Sequence, residues 1–149
     1  MILSLENWVS LKKLQREPAS KNETADLLKN VDEFLTDSKS TTVSNNTRFN
    51  TAYNAALLLA KVALRACGYR TAGSGAHHFD LIWSLHETIG TPSDFSEKFQ
   101  KFSKKRHQSS YDAIPVSDKE LKGMIELAED LYRRVRKWLK ANHPELLEV

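Results

Sequence analysis

The chain has 149 residues, 40% of them apolar or aromatic and 28% charged, with a formal net charge of +3. That is enough for one domain with a real core and too little for two comfortable ones, and the composition is that of an ordinary globular protein, not a disordered or fibrous one. The lone cysteine, Cys67, excludes an internal disulfide; no apolar run reaches membrane-spanning length and the N-terminus lacks a basic, apolar, small-residue signal pattern, so a cytoplasmic protein without membrane contact is expected.

In chain order, Leu5 to Gln15 predicts a short amphipathic helix entered from Ser4 and stopped before Pro18. Ser20 with Glu23 reads as a capping box that opens a second helix, Lys21 to about Thr36, with Ala25, Leu28, Val31 or Asp32, and Leu35 as its buried line. The polar stretch Asp37 to Asn46 reads as a linker and disordered loop. The third helix, Thr47 to Cys67, is apolar on nearly all sides between Ala52 and Ala66, interrupted by Asn54, Lys61 and Arg65, and a helix of that kind belongs in the middle of a bundle. Cys67 falls in this pattern as a packing residue, and Gly68 closes the helix.

A fourth helix, Gly75 to Ile89, buries His78, Ile82, Leu85 and Ile89 and is stopped by Gly90-Thr91-Pro92. A fifth, capped by Ser93, runs to about Ser110. Ser117 and Glu120 form a second capping box, for a sixth helix whose seam is Leu121, Ile125, Ala128, Tyr132, Val135 and Leu139 and which ends near His143-Pro144. No strand pattern of useful length, repeat or low-complexity tract interrupts this order. The expected fold is all-α, an up-and-down bundle of five to six helices in a single domain over 1–149.

Charge is unevenly spread. Glu17 to Asp37 holds six acidic residues against two lysines, whereas Lys98 to Arg106 and Arg133 to Lys140 each carry five basic residues and no acid. Such runs are candidate phosphate-contact surfaces or simply solvated faces, and the pairs Glu129 with Arg133 and Asp130 with Arg134 answer part of the second run locally.

The most informative segment is Lys104 to Ala113. Phe95, Phe99 and Phe102 recur at core spacing, and Arg106 falls on the same line one turn later. A guanidinium that continues an apolar stripe needs a carboxylate, phosphate or carbonyl partner, or an edge where it reaches water. Lys101, Lys104, Lys105 and His107 surround it as candidate phosphate contacts. Elsewhere, His77 and His78 are adjacent and so point about 100° apart on a helix, unable to share one metal. His78 reads as a core histidine or a site-lining one, and Asn54, an amide in the most buried helix, as a helix-knitting group or a binding residue. Tyr53 and Tyr69 have polar tips that suit either role. No Cys pair, phosphate-binding glycine loop, dinucleotide fingerprint or His-Glu zinc motif occurs, so neither a metal nor a cofactor is expected.

Three segments, RFNTAYNAALLLAKVALRACGYR (48–70), GAHHFDLIWSL (75–85) and FQKFSKKRHQSSYDA (99–113), resemble in order and spacing a branch of the HEPN superfamily of prokaryotic helical bundles, over roughly residues 44–140, with 1–43 as N-terminal helices and linker. The resemblance implies a homodimer from a toxin–antitoxin, defence or RNA-related setting, in some relatives paired with a small nucleotidyltransferase-like antitoxin. Active members are metal-independent endoribonucleases whose motif is an arginine followed four to six residues later by a histidine. Arg106 fits the arginine; five residues on stands Tyr111, followed by Asp112, and His107 adjoins the arginine too closely to serve. Metal-free cleavage needs a base near neutrality, and tyrosine, with an ordinary pKa of about 10, is a poor one. The resemblance therefore implies a dimeric module that binds RNA, a nucleotide or a partner protein, with a ribonuclease toxin using Arg106, Tyr111 and Asp112 across the dimer cleft as the alternative. Five residues turn an ideal helix by about 140°, so Arg106 and Tyr111 are expected to converge only where the helix breaks or a second subunit contributes.

Overall fold

The computed structural model describes residues 4–73 and 77–147. Six helices account for most of the chain: α1 (Ser4–Ser10), α2 (Lys21–Ser38), α3 (Asn45–Ala66), α4 (His78–Thr88), α5 (Ser93–Tyr111) and α6 (Asp118–Asn142), followed by a short 3-10 turn at Pro144–Leu146. The fold is an all-α bundle. None of the described helices is long and apolar enough to cross a membrane. The start expected for the fourth helix at Gly75 lies outside the described residues.

Helix α3 is the axis, and its composition explains why. Ala52, Ala55, Ala56, Ala60 and Ala63 are fully buried together with Phe49, Tyr53 and Leu59. Small side chains bring neighbouring backbones close while the three large ones fill the space between, so α2, α6, α4 and α5 all pack on α3. Phe99 of α5 meets Tyr53 edge to face at 5.8 Å, and Phe102 meets Phe49 at the same distance. On α6, Gly123 leaves room for the Phe102 ring: a Cβ there would lie 3.1 Å from its Cζ. Gly68 ends α3 with φ of 90°, and Cys67 just before it is a half-buried thiol whose pKa burial pushes up to about 11.

Several expected details differ. The first helix stops at Ser10, Lys12 takes a left-handed φ of 61°, and Leu14–Arg16 forms a strand, β1, antiparallel to β2 (Tyr69–Thr71), with Leu14 opposite Thr71. Leu11 and Leu14 satisfy helical spacing, but the core takes Leu14, 2% exposed, and leaves Leu11 at 66%. In α2 the buried line is Thr24, Leu28, Val31, Leu35 and Ser38, so Ala25 and Asp32 face outward; the Thr24 hydroxyl is satisfied by donating to the Ser20 carbonyl at 3.0 Å. The supposed loop is a tight turn, because α2 runs on to Ser38, whose carbonyl accepts from Arg48 Nε at 2.9 Å, and Ser44 caps α3. In α6, Met124, Leu127 and Leu131 are buried and Ile125 and Tyr132 only partly, a seam turned slightly from the expected one. Ser117 and Glu120 form the full capping box. Pro92 stands at the N-cap of α5, with Ser93 its first residue. Asp130 pairs with Arg134 at 3.1 Å, while Glu129 turns to Lys39 at the C-cap of α2.

One polar feature of the core sits in α3. Arg65 is 3% exposed. Its Nε and Nη2 donate to the Glu23 carboxylate at 2.7 and 2.9 Å, its Nη1 to the Glu17 and Tyr69 carbonyls at 2.6 and 3.2 Å, and Nη2 also reaches the Pro18 carbonyl at 3.2 Å. A buried guanidinium is tolerable only when its forked donors are used in this way. At the start of α2, Ser20 Oγ accepts from the Glu23 amide at 3.0 Å, and the Glu23 carboxylate makes its main bonds to Arg65.

Phe99→Ala, which empties a fully buried ring position, is expected to cost about 3–5 kcal/mol in urea unfolding. Hydrogen bonding to Arg65 holds the Glu23 carboxyl below the usual carboxylate range. A lowered folded-state pKa contributes stability that is complete above the unfolded value and fades as pH falls through the folded one. Wild type should therefore exceed Glu23→Gln in stability at pH 7, and the gap should narrow on acidification below the ordinary carboxylate range; a gap independent of pH would contradict this.

Candidate functional site

A cleft of about 690 Å³ opens between α3, α4 and α5. Each wall follows from helical spacing. Asn50, Tyr53, Leu57 and Lys61 succeed one another at steps of three and four on one face of α3, and Leu57, Leu58 and Lys61 line the cleft. His78 and Leu81 line it from α4, with His77 just before the helix and Phe79 at the rim, 51% exposed. From α5 come Gln100, Ser103, Arg106, His107 and Tyr111.

Tyr53 lies under the cleft with no exposed surface. Its hydroxyl donates to Ser103 Oγ at 3.0 Å and contacts His78 Nδ1, also at 3.0 Å. The Arg106 guanidinium carbon lies 5.4 Å from the Tyr53 ring centroid, a cation–π arrangement, and Arg106 Nε donates to Asn50 Oδ1 at 3.2 Å. Among the described residues no carboxylate forms a salt bridge with Arg106, although the side chain is half-buried. Arg65, near the C-terminal end of α3, has two.

Burial, followed by the nearby Arg106 and His77, holds the His78 imidazole below the ordinary histidine range. Burial also raises the Tyr53 phenol, against smaller opposing effects of the Ser103 hydrogen bond and Arg106. The site thus presents, at neutral pH, a fixed cation beside a neutral imidazole over a neutral phenol.

Arg106, His107, Tyr111 and His78 therefore share one cleft, whereas the other sequence candidates do not. His78 is a half-buried wall residue, not a core one. Helix α5 runs unbroken through Tyr111, so no helix break brings Tyr111 onto Arg106 within one chain; Arg106 turns inward over Tyr53, and Tyr111 stands at the rim, 72% exposed, its ring 4.6 Å from that of His107 one turn before. Asp112 is the exposed C-cap, its amide donating to the Gln108 carbonyl at 2.9 Å, and lines no part of the cleft. Asn54 is half-buried, about 100° round α3 from Tyr53, and also lies off the cleft. Lys101 and Lys104 are exposed on α5 outside it. Lys105 is engaged elsewhere, donating to the Pro115 carbonyl at 3.0 Å with Glu120 at 3.4 Å. Tyr69 donates to Glu6, which also pairs with Arg16, and so belongs to the scaffold around β1 and β2.

Asn50, Ser103, Gln100 and Lys61 were not singled out from sequence. Their signal was present as spacing: Asn50 lies three residues before Tyr53, and Ser103 three before Arg106. Trp83 and Phe79 stack at 6.1 Å, and Trp83 Nε1 donates to Gln100 Oε1 at 3.1 Å, which makes Trp83 a half-buried brace for the α4–α5 wall. Comparison with protein-family models, curated proteins and solved structures finds no match to this chain.

In an NMR titration the His78 ring should change protonation below the ordinary histidine range. Arg106→Ala removes a neighbouring positive charge and should raise that midpoint part of the way, burial remaining. An unchanged midpoint would show that the guanidinium does not act on the imidazole.

Proposed function

We propose that this chain is a binding module for phosphate-bearing ligands, RNA or a nucleotide, of the HEPN-like kind found in prokaryotic toxin–antitoxin, defence or RNA-related systems, and that it works as a homodimer. The observation that carries this reading is Arg106. A half-buried guanidinium held by an amide and an aromatic face, with no carboxylate salt bridge among the described residues, keeps its charge and most of its donors for an anion. Lys61 at the cleft and Lys101 and Lys104 on exposed α5 surface extend the positive field, while Lys105 contributes to the α5–α6 connection instead. Exposed Tyr111 and Phe79 offer ring faces on which a base can stack. A partner protein of the nucleotidyltransferase type fits the resemblance and the exposed Phe79, but leaves Arg106 without a role.

The ribonuclease reading keeps one observation in its favour: Tyr111 lines the same cleft as Arg106. In that reading Arg106 offsets charge developing on phosphorus, and Tyr111 holds or donates a proton. Asp112, outside the cleft, has no part in it.

Affinity for a short RNA should fall steeply with added salt and weaken in Arg106→Ala, by roughly tenfold or more for loss of a charged hydrogen-bonding contact. Tyr111→Phe should bind nearly as wild type, with RNA intact in both. Wild-type cleavage that disappears in Tyr111→Phe would establish the nuclease instead, and absence of RNA and nucleotide binding at low salt would leave the protein-partner reading.

A further inference from the structure

We propose that the cleft reads a hydroxyl beside the phosphate it binds: His78, set in one tautomer by Tyr53 and Ser103, accepts a hydrogen bond from a ribose 2′-hydroxyl at Nε2 and makes the site selective for RNA over DNA. This rests on the phosphate-binding reading of Arg106 and adds a specificity residue to it.

Tyr53 donates its hydroxyl hydrogen to Ser103 Oγ, and a phenol has no second one to give. The 3.0 Å contact with His78 Nδ1 must then be supplied from the histidine side, so Nδ1 carries the hydrogen and donates to the Tyr53 oxygen. A neutral imidazole protonated at Nδ1 has its lone pair at Nε2, opposite on the ring. Among the described residues Nε2 has no hydrogen-bond partner, and it is not among the buried atoms lacking one, so it is open to a ligand on the cleft wall. Burial and Arg106 disfavour protonation, which keeps the lone pair present at neutral pH.

Arg106 and His78 are both registered on the same buried ring, one against its face and the other against its hydroxyl. A group that can only donate and a nitrogen that can only accept are thus held side by side on a rigid support. The ligand chemistry that satisfies both is an anionic phosphate next to a hydroxyl donor. In a nucleic-acid strand that donor is the 2′-hydroxyl, the group that distinguishes RNA from DNA at a given site. A DNA strand would place a C–H there and leave the desolvated lone pair without a partner.

The test compares fluorescently labelled RNA and DNA oligonucleotides of one sequence by anisotropy with the full chain at low salt and neutral pH. Wild type should favour RNA by about five- to tenfold, the value of one net hydrogen bond to a nitrogen that the bound strand covers. In His78→Phe, which keeps a ring but has no lone pair, the RNA-to-DNA ratio should fall to about one. Independently of any ligand, nitrogen-15 NMR of the wild-type imidazole should show Nδ1 protonated. Equal binding of RNA and DNA by wild type would overturn the inference and leave the phosphate-binding reading standing, whereas failure of both to bind would overturn the two together. A preference that survives in His78→Phe, or an imidazole protonated at Nε2, would also overturn it.

Discussion

A buried tyrosine hydroxyl is costly unless it is hydrogen-bonded, and Tyr53 meets that requirement by drawing His78 from α4 and Ser103 from α5 onto a single atom. Much else at this end of the bundle follows. The ring that bears that hydroxyl packs edge to face on Phe99 and carries the Arg106 guanidinium over it, so the aromatic that completes the core also forms the floor of the cleft. Core packing and site geometry therefore cannot vary independently here. A shift of α5 along α3 large enough to disturb the phenylalanine stripe would also move Ser103 and Arg106 relative to His78.

Two arginines show how the same side chain acquires opposite roles. Arg65 is enclosed by the Glu23 and Glu17 carboxylates and three backbone carbonyls, and ties the start of α2 and strand β2 to the C-terminal end of α3. Every donor direction is answered within the protein, so nothing is left for a ligand. Arg106 is less buried, yet it has been given an amide and a ring face in place of a carboxylate. An incompletely answered guanidinium is tolerated where a cleft admits water and a ligand can take its place, and this difference in partners, not the charge itself, is what marks Arg106 as a binding group.

The bundle was legible because its signals were redundant: caps at Ser20 and Ser117, the all-round apolar run of α3, and the stop at Gly68; the cap at Ser44 lay hidden in a stretch that reads as a linker. The misread pieces were those where two placements satisfy the same spacing. Leu11 and Leu14 fit a helix equally well, and only the partner strand at Tyr69–Thr71, more than fifty residues away, decides for β1. Ile125 and Met124, or Tyr132 and Leu131, are alternative seams of one helix separated by a single residue. The site was half legible. Arg106 stood out because it broke an apolar stripe. Asn50 and Ser103 did not, because small polar residues on a helix gain meaning only from what faces them, and Asn54 drew attention that belonged one turn earlier. Arg65 was visible only as an interruption, since its partners at Glu17 and Glu23 lie more than forty residues before it.

The central claim is that Arg65 is kept for the fold and Arg106 for a ligand, and equilibrium unfolding in urea of Arg65→Ala and Arg106→Ala tests it most directly. Removing Arg65 strands buried carbonyls and a carboxylate and should cost about 3–5 kcal/mol. Removing Arg106 breaks one amide contact and a cation–π contact while relieving the positive charge near His78, and should cost about 1 kcal/mol or less. Losses of equal size would show that Arg106 is a structural residue and would remove the basis for assigning the cleft a binding role.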